Sequence, residues 1–164
     1  MIVKDFLSLK NKNFFAIIIG SGPAGICTAL ELEKKKINSL IIEAGGLEQN
    51  DDDLKYLKGK VIGDNYADLS YSRLRQFGGS SGHWGGNCNP MTAENFFNWP
   101  ISRDDLNNYD DRARKILNLA NKEKFYQEKL SENLDTFNIV WSNVKFGNKY
   151  LNHIKKSEYI YLSL

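Results

Sequence analysis

Apolar positions along this chain change rhythm several times. Phe14-Phe-Ala-Ile-Ile-Ile19 is a short, continuous apolar run rich in isoleucine. Its length and β-branching predict a buried parallel strand. Gly20 to Gly25 then turns the chain. From Pro23 the rhythm becomes helical: Ile26, Ala29, Leu30 and Glu33 follow at three- and four-residue spacing. Pro23 suits a first helical turn, where its missing N–H costs nothing. The lysines at 34–36 favour the negative end of the helix dipole. Ile37 to Glu43 returns to strand character. Residues 14–43 therefore predict a βαβ core with a right-handed crossover. Its helix should bury Ile26 and Leu30 against a parallel sheet.

Periodicity fades from Ala44 to Pro90. A short helix at about Asp52–Lys58 and a brief strand near Val61 are expected there. Residues 77–89 are glycine-rich and aperiodic, which predicts a loop; so long an irregular stretch inside a compact domain usually serves a function. Helical order resumes at Ser102. Ser102 and Asp105 form a capping box ahead of a helix over 103–119, with Leu106, Tyr109, Ala113, Ile116, Leu117 and Ala120 on one face. A helix over 122–131, a strand over 136–141, a helix over 148–156 and a strand over 159–163 complete the expectation. The class is α/β, with a helical region spanning 102–131.

A chain of 164 residues is one domain by length, able to bury roughly two thirds of its unfolded surface. A net charge of +2 is too small to argue for nucleic acid. Asp51-Asp-Asp53 reads as an exposed loop or helix start, and no metal site is expected. Cys27 and Cys88 match neither a disulfide framework nor a zinc pattern. Cys27 should be a small buried residue of the first helix. No signal peptide is evident, and no stretch approaches the ~20 apolar residues of a membrane span. The expected location is a reducing cytoplasm.

Candidate chemistry begins with Gly20-Ser-Gly-Pro-Ala-Gly25. A Gly-x-Gly-x-x-Gly turn after a strand and opening a helix is the dinucleotide fingerprint. Gly20 allows the tight turn, Gly22 lets the backbone approach a pyrophosphate, and Gly25 lets helix and strand pack closely. Pro23 and Ala24 open the helix, whose N–H groups and dipole favour phosphates. Glu43, ending the second strand, stands where a carboxylate bonds adenosine ribose hydroxyls, and it would repel a 2′-phosphate. The turn alone does not distinguish NAD from FAD.

A second glycine cluster follows: Arg73-Leu-Arg-Gln-Phe-Gly-Gly-Ser-Ser-Gly-His-Trp-Gly-Gly86. With the first turn, it resembles the FAD-binding part of the glucose-methanol-choline (GMC) oxidoreductases. The His-Trp-Gly-Gly sequence is closest to the branch associated with sugar and polyol dehydrogenases. Asn98-Trp-Pro-Ile101 and Lys145-Phe-Gly-Asn-Lys-Tyr150 also resemble that branch, so the likeness runs from Val3 through nearly the whole chain.

The resemblance implies a partial Rossmann-type FAD-binding domain over 1–164, incomplete at its C-terminal end, with residues 73–90 against the flavin. Gly78 and Gly79 would let the main chain approach the ring or pyrophosphate. Ser80 and Ser81 would bond phosphate or ribitol. Arg75 either neutralises a phosphate or braces the loop by pairing with a carboxylate such as Asp68. His83 either orders the loop beside the cofactor or, as in some members, bonds covalently to the flavin. Trp84, where many members have asparagine, packs beside the flavin or fills core.

No position matches the family's C-terminal catalytic base, and no region matches its substrate domain, so the chain is expected to be inactive by itself. His153 reads as a surface or packing residue. The implied function is the FAD-binding portion of an oxidoreductase acting on CH–OH groups of alcohols or sugars. The alternatives are a non-catalytic FAD-binding remnant and a subunit completed by a separate C-terminal chain. The last strand, Tyr159 to Leu164, is expected to lack partners and to leave an edge prone to pairing or aggregation.

Overall fold

The computed structural model describes residues 1–3, 5–119, 127–131, 134–137 and 140–164. In chain order its strands and α-helices are β1 (Ile2–Val3), β2 (Ala16–Ile19), α1 (Pro23–Lys34), β3 (Ser39–Ile42), α2 (Asp51–Leu54), α3 (Leu69–Ser72), β4 (Asn87–Cys88), α4 (Asp110–Ile116), β5 (Gln127–Ser131), β6 (Leu134–Phe137), β7 (Val140–Trp141), α5 (Phe146–Lys156) and β8 (Ile160–Ser163). They fall into two compact units, Met1–Trp84 with Lys145–Leu164, and Gly85–Val144.

The first unit holds a four-stranded, wholly parallel sheet in the order β1-β8-β3-β2. Partners across the sheet run Ile17–Leu40–Tyr161 on one face and Ile18–Ile41–Leu162 on the other. α1 and α5 cover the second face, with Ile26, Ala29 and Ile154 fully buried above Ile41, Ile160 and Leu162. On the first face Val3, Leu9, Leu40 and Tyr161 cluster with Phe14 and Ile42. Phe14 meets Tyr161 edge to face, with ring centroids 5.2 Å apart. That cluster stops short of β2, where Ile17 and Ile19 stay 61 and 79 % exposed, and Phe15 just before it is 78 % exposed.

The βαβ core thus forms with the expected elements, in parallel. α1 is rotated slightly from expectation: Ala29 rather than Leu30 joins Ile26 in the core, and Leu30 is half-buried. Cys27 is also half-buried, and burial pushes its thiol up.

The last strand departs furthest from expectation. β8 is bonded to β1 on one side and β3 on the other, and Ile160, Tyr161 and Leu162 are buried. β2 instead forms the sheet's edge, pairing only with β3 among the described residues. An all-parallel sheet lets strands distant in sequence become neighbours, so chain order did not reveal which strand would be flanked.

In the second unit β4 pairs antiparallel with β7, and β5 with β6. The helix expected over 103–119 is a 3₁₀ helix over Asp104–Tyr109 followed by α4. Local side-chain bonds explain the tighter turn: Asp105 accepts from the Ser102 amide and hydroxyl, both at 2.8 Å, and Asn107 bonds Asp104 at 3.0 Å. Tyr109 and Ala113 consequently face solvent. Asn118, at φ +53°, ends the helical stretch. Ala120 lies outside the described residues.

The helix expected over 122–131 is corrected where it is described: Gln127–Ser131 is strand β5, and 122–126 lie outside the described residues. The strand expected over 136–141 is divided between β6 and β7, with 138–139 outside the description. No strand forms at Val61. Among the described residues, no helix is long and apolar enough to cross a membrane.

Candidate functional site

β2 runs into Gly20, whose φ of +92° turns the chain sharply, while its N–H holds the Ile42 carbonyl at 2.8 Å. A Cβ on Gly25 would lie 2.1 Å from the Gly20 carbonyl oxygen and 3.1 Å from Ile18. Only glycine therefore lets α1 start against β2. Gly22 is different: a Cβ there meets nothing within 4 Å. It caps α1 with no side-chain bond, and Pro23 follows at the first helical position. The amides of Ala24 and Gly25 have no acceptor among the described residues. The helix thus presents free N–H groups and the positive end of its dipole beside an open glycine.

Ser21 joins this turn to two other segments. Glu43, just past β3, accepts from the Ser21 amide at 2.8 Å and its hydroxyl at 2.6 Å through Oε2, and from the Gly45 amide at 3.0 Å through Oε1. The Gly78 amide in turn donates to the Ser21 carbonyl at 3.2 Å and hydroxyl oxygen at 3.1 Å. Ser21 is fully buried. A Cβ on Gly79 would sit 3.3 Å from Gly22 Cα, so the two glycine loops meet backbone to backbone. The structure brings Gly20, Gly22, Gly25, Glu43, Gly78 and Gly79 to one place. Ser21 was not singled out from the sequence, because a serine between glycines reads as an exposed turn residue.

The second loop is braced from within. Arg75 pairs with Asp53 rather than Asp68, and its guanidinium stacks 4.4 Å from the Tyr56 ring centroid. Asp68 instead caps α3 through the Ser70 amide at 2.8 Å. Of the two roles open to Arg75, the structure displays bracing. Ser80 accepts from the Leu74 amide at 3.1 Å. Ser81 donates to the Gly78 carbonyl at 2.6 Å and accepts from the Phe146 amide at 3.1 Å. Gly78 approaches the start of α5: a Cβ there would lie 2.3 Å from the Gly147 amide. Its bareness is thus already required by the fold. Gly147 is a partner the sequence reading missed; its own Cβ would sit 2.5 Å from the Phe77 carbonyl oxygen.

His83 is exposed at the end of the 3₁₀ turn Gly79–Gly82, and Trp84 beside it is half-buried. Gly85 to Pro90, the rest of this loop, belongs to the second compact unit. His153 is on α5, where it pairs with Glu33 of α1. Burial alone would raise the Glu33 carboxyl; hydrogen bonds from His153 and Ser157 outweigh it and hold the group below its ordinary value.

Among the described residues, no group of three or more His, Cys, Asp or Glu could hold a metal ion. The arrangement suits an anion with an attached hydroxylated group: amides and a helix dipole on one side, and on the other a carboxylate with one acceptor position left on Oε1. Neither a scan against protein-family models nor a search of curated proteins finds a match to this chain.

Proposed function

We propose that this chain is a dinucleotide-binding module of Rossmann type, and that its ligand is FAD in an oxidoreductase acting on CH–OH groups of alcohols or sugars. One observation supports the reading above the others. The Gly20–Gly25 turn, Glu43 and the Gly78–Gly79 loop, three segments distant in sequence, share one junction at Ser21.

In this reading the pyrophosphate lies on the amides at the start of α1, where Gly22 leaves room. Glu43 takes an adenosine ribose hydroxyl at the acceptor position left on Oε1, and its charge excludes a 2′-phosphate, which disfavours NADP. Arg75 positions the loop and leaves the phosphates to the helix amides. His83 is exposed at the end of this loop, where it orders the loop beside the cofactor or bonds to the flavin. A bound flavin supplies the hydride acceptor; this chain's residues bind and orient it. The chain alone binds without turning over alcohols, because no residue matches the family's base.

The carboxylate gives the sharpest test. Titrating the purified chain with FAD should show saturable binding, and Glu43→Gln should weaken it about tenfold or more, since hydrogen bonds to a charged group contribute about 1.5–3 kcal/mol. Glu43 also holds Ser21, so thermal melting of the variant is measured in parallel. Undiminished affinity in a folded Glu43→Gln protein, or equal affinity for NADP, refutes the assignment. The bare face of β2 favours, as the second reading, a subunit completed by another polypeptide over a non-catalytic remnant.

A further inference from the structure

The second compact unit carries a surface that the nucleotide reading does not use. Residues 93–105 enclose a concave groove of about 680 Å³. Phe96 is its buried anchor, meeting Trp99 edge to face with ring centroids 5.9 Å apart. A tight turn, closed by the Trp99 amide on the Phe96 carbonyl at 2.9 Å, passes through Asn98 at φ +64°. That turn leaves the rings on either side of Asn98 in solvent: Phe97 is 81 % exposed and Trp99 56 %. Two large aromatic side chains this exposed on one turn lose hydrophobic stabilisation unless something covers them.

The rim supplies the identity of the cover. Glu94, Asp104 and Asp105 line the groove, and Arg103 lines it too but is ion-paired with Asp110. The groove therefore presents three carboxylates and one already neutralised cation. The Thr92 hydroxyl holds the Glu94 carboxyl below its ordinary value, and the Ser102 amide and hydroxyl do the same for Asp105. Exposed aromatic rings and carboxylates lining one groove suit a cation whose charge lies over a ring face while its N–H groups reach acids. The chain as a whole carries +2, so general electrostatics do not draw cations to it; the attraction is local to this groove.

The geometry points to a docking site for an arginine- or lysine-bearing segment of a partner protein, with its alkyl stems on Phe97 and Trp99 and its charged heads on Glu94, Asp104 and Asp105. A neutral sugar could also stack on the rings, but it would leave the carboxylates of Glu94, Asp104 and Asp105 without a cationic partner among the described lining residues.

The test uses the full chain and an acetylated peptide alternating arginine and leucine, followed by tryptophan fluorescence and calorimetry at low and high salt. Saturable binding is expected, weakening with salt. Trp99→Ala should weaken it about five- to tenfold, as loss of one cation–π contact predicts. The double variant Glu94→Gln with Asp104→Asn keeps both rings and should weaken it at least as much; it decides the matter if Trp99→Ala does not fold. The corresponding glutamate–leucine peptide should not bind. Three results overturn the proposal: equal peptide affinity in wild type and the charge variant, no peptide binding at low salt, or saturation by an uncharged glucose oligosaccharide with none by the peptide.

Discussion

β2 and β8 are both four-residue, apolar, parallel strands of one sheet, yet they occupy opposite situations. β8 is flanked on both edges, and Ile160 to Leu162 are buried. β2 is flanked on one edge among the described residues, and its Ile17 and Ile19 lie bare on one face. Composition does not explain this, since Ala-Ile-Ile-Ile in β2 is at least as apolar as Ile-Tyr-Leu-Ser in β8. The helices do. α1 and α5 cover the face that both strands share, and the opposite face is filled from Val3, Leu9 and Phe14 only as far as Leu40 and Tyr161. An apolar strand advertises a need for cover; its neighbours decide whether the need is met within the unit.

The contrast is broken most directly by truncating equivalent-sized side chains. Leu162→Ala should cost about 2–5 kcal/mol by urea denaturation, the range for a fully buried aliphatic residue. Ile17→Ala should cost less than about 1 kcal/mol, because its side chain is already in water. Equal losses would show that β2 is covered in solution.

Ser21→Ala should fall between those two, at about 1–3 kcal/mol, since it strips a part-buried hydrogen bond from the Glu43 carboxylate and a buried one from the Gly78 amide. A Ser21→Thr variant keeps the hydroxyl, and where the methyl is accommodated it should recover part of the loss. No difference between the Ala and Thr variants would mean that the hydroxyl does not join the two loops.

Smaller still is the acid response of the helices that cover β8. The folded Glu33 carboxyl is held below its ordinary value by His153 and Ser157. Its contribution is therefore full above the unfolded carboxylate range, near pH 4.3, and is lost as pH falls through the lower, folded value. Melting followed from pH 6 to pH 3 should fall in wild type, with the steepest part below pH 5 reduced in Glu33→Gln. An identical acid profile in the two proteins would detach this pair from stability.

The smallest change in stability should come from Ile17→Lys with Ile19→Lys, within about 0.5 kcal/mol per site. Those two charges should nonetheless raise solubility, since they interrupt an apolar strand edge. Light scattering that is unchanged in the double variant would show that the bare face of β2 does not drive association.

Local signals in the chain were enough for the βαβ core. Phe14–Ile19, the helical spacing from Pro23 and the run ending at Glu43 each state their own element, because strand and helix periodicity are short-range properties. Gly25 was legible for the same reason, and the collision of its Cβ with Gly20 is the physical content of that reading. Over 103–119 the same spacing held for α4 and failed before it. Acids and amides at 104–108 bond locally and tighten the turn to 3₁₀, a competition that hydrophobic spacing does not register.

What the sequence by itself determined is therefore the α/β class, the parallel core and the strand–glycine–helix turn, all set by contacts among residues close in the chain. Tertiary structure alone decided that Ser21 would be buried under Gly78, that Arg75 would turn to Asp53 and Tyr56, and that Gly78 would serve the start of α5. It also decided that the last strand would be central and the first strand of the core an edge. These are contacts between segments tens of residues apart. In a parallel sheet the chain must cross over between neighbouring strands, so position in sequence carries little information about position in the sheet.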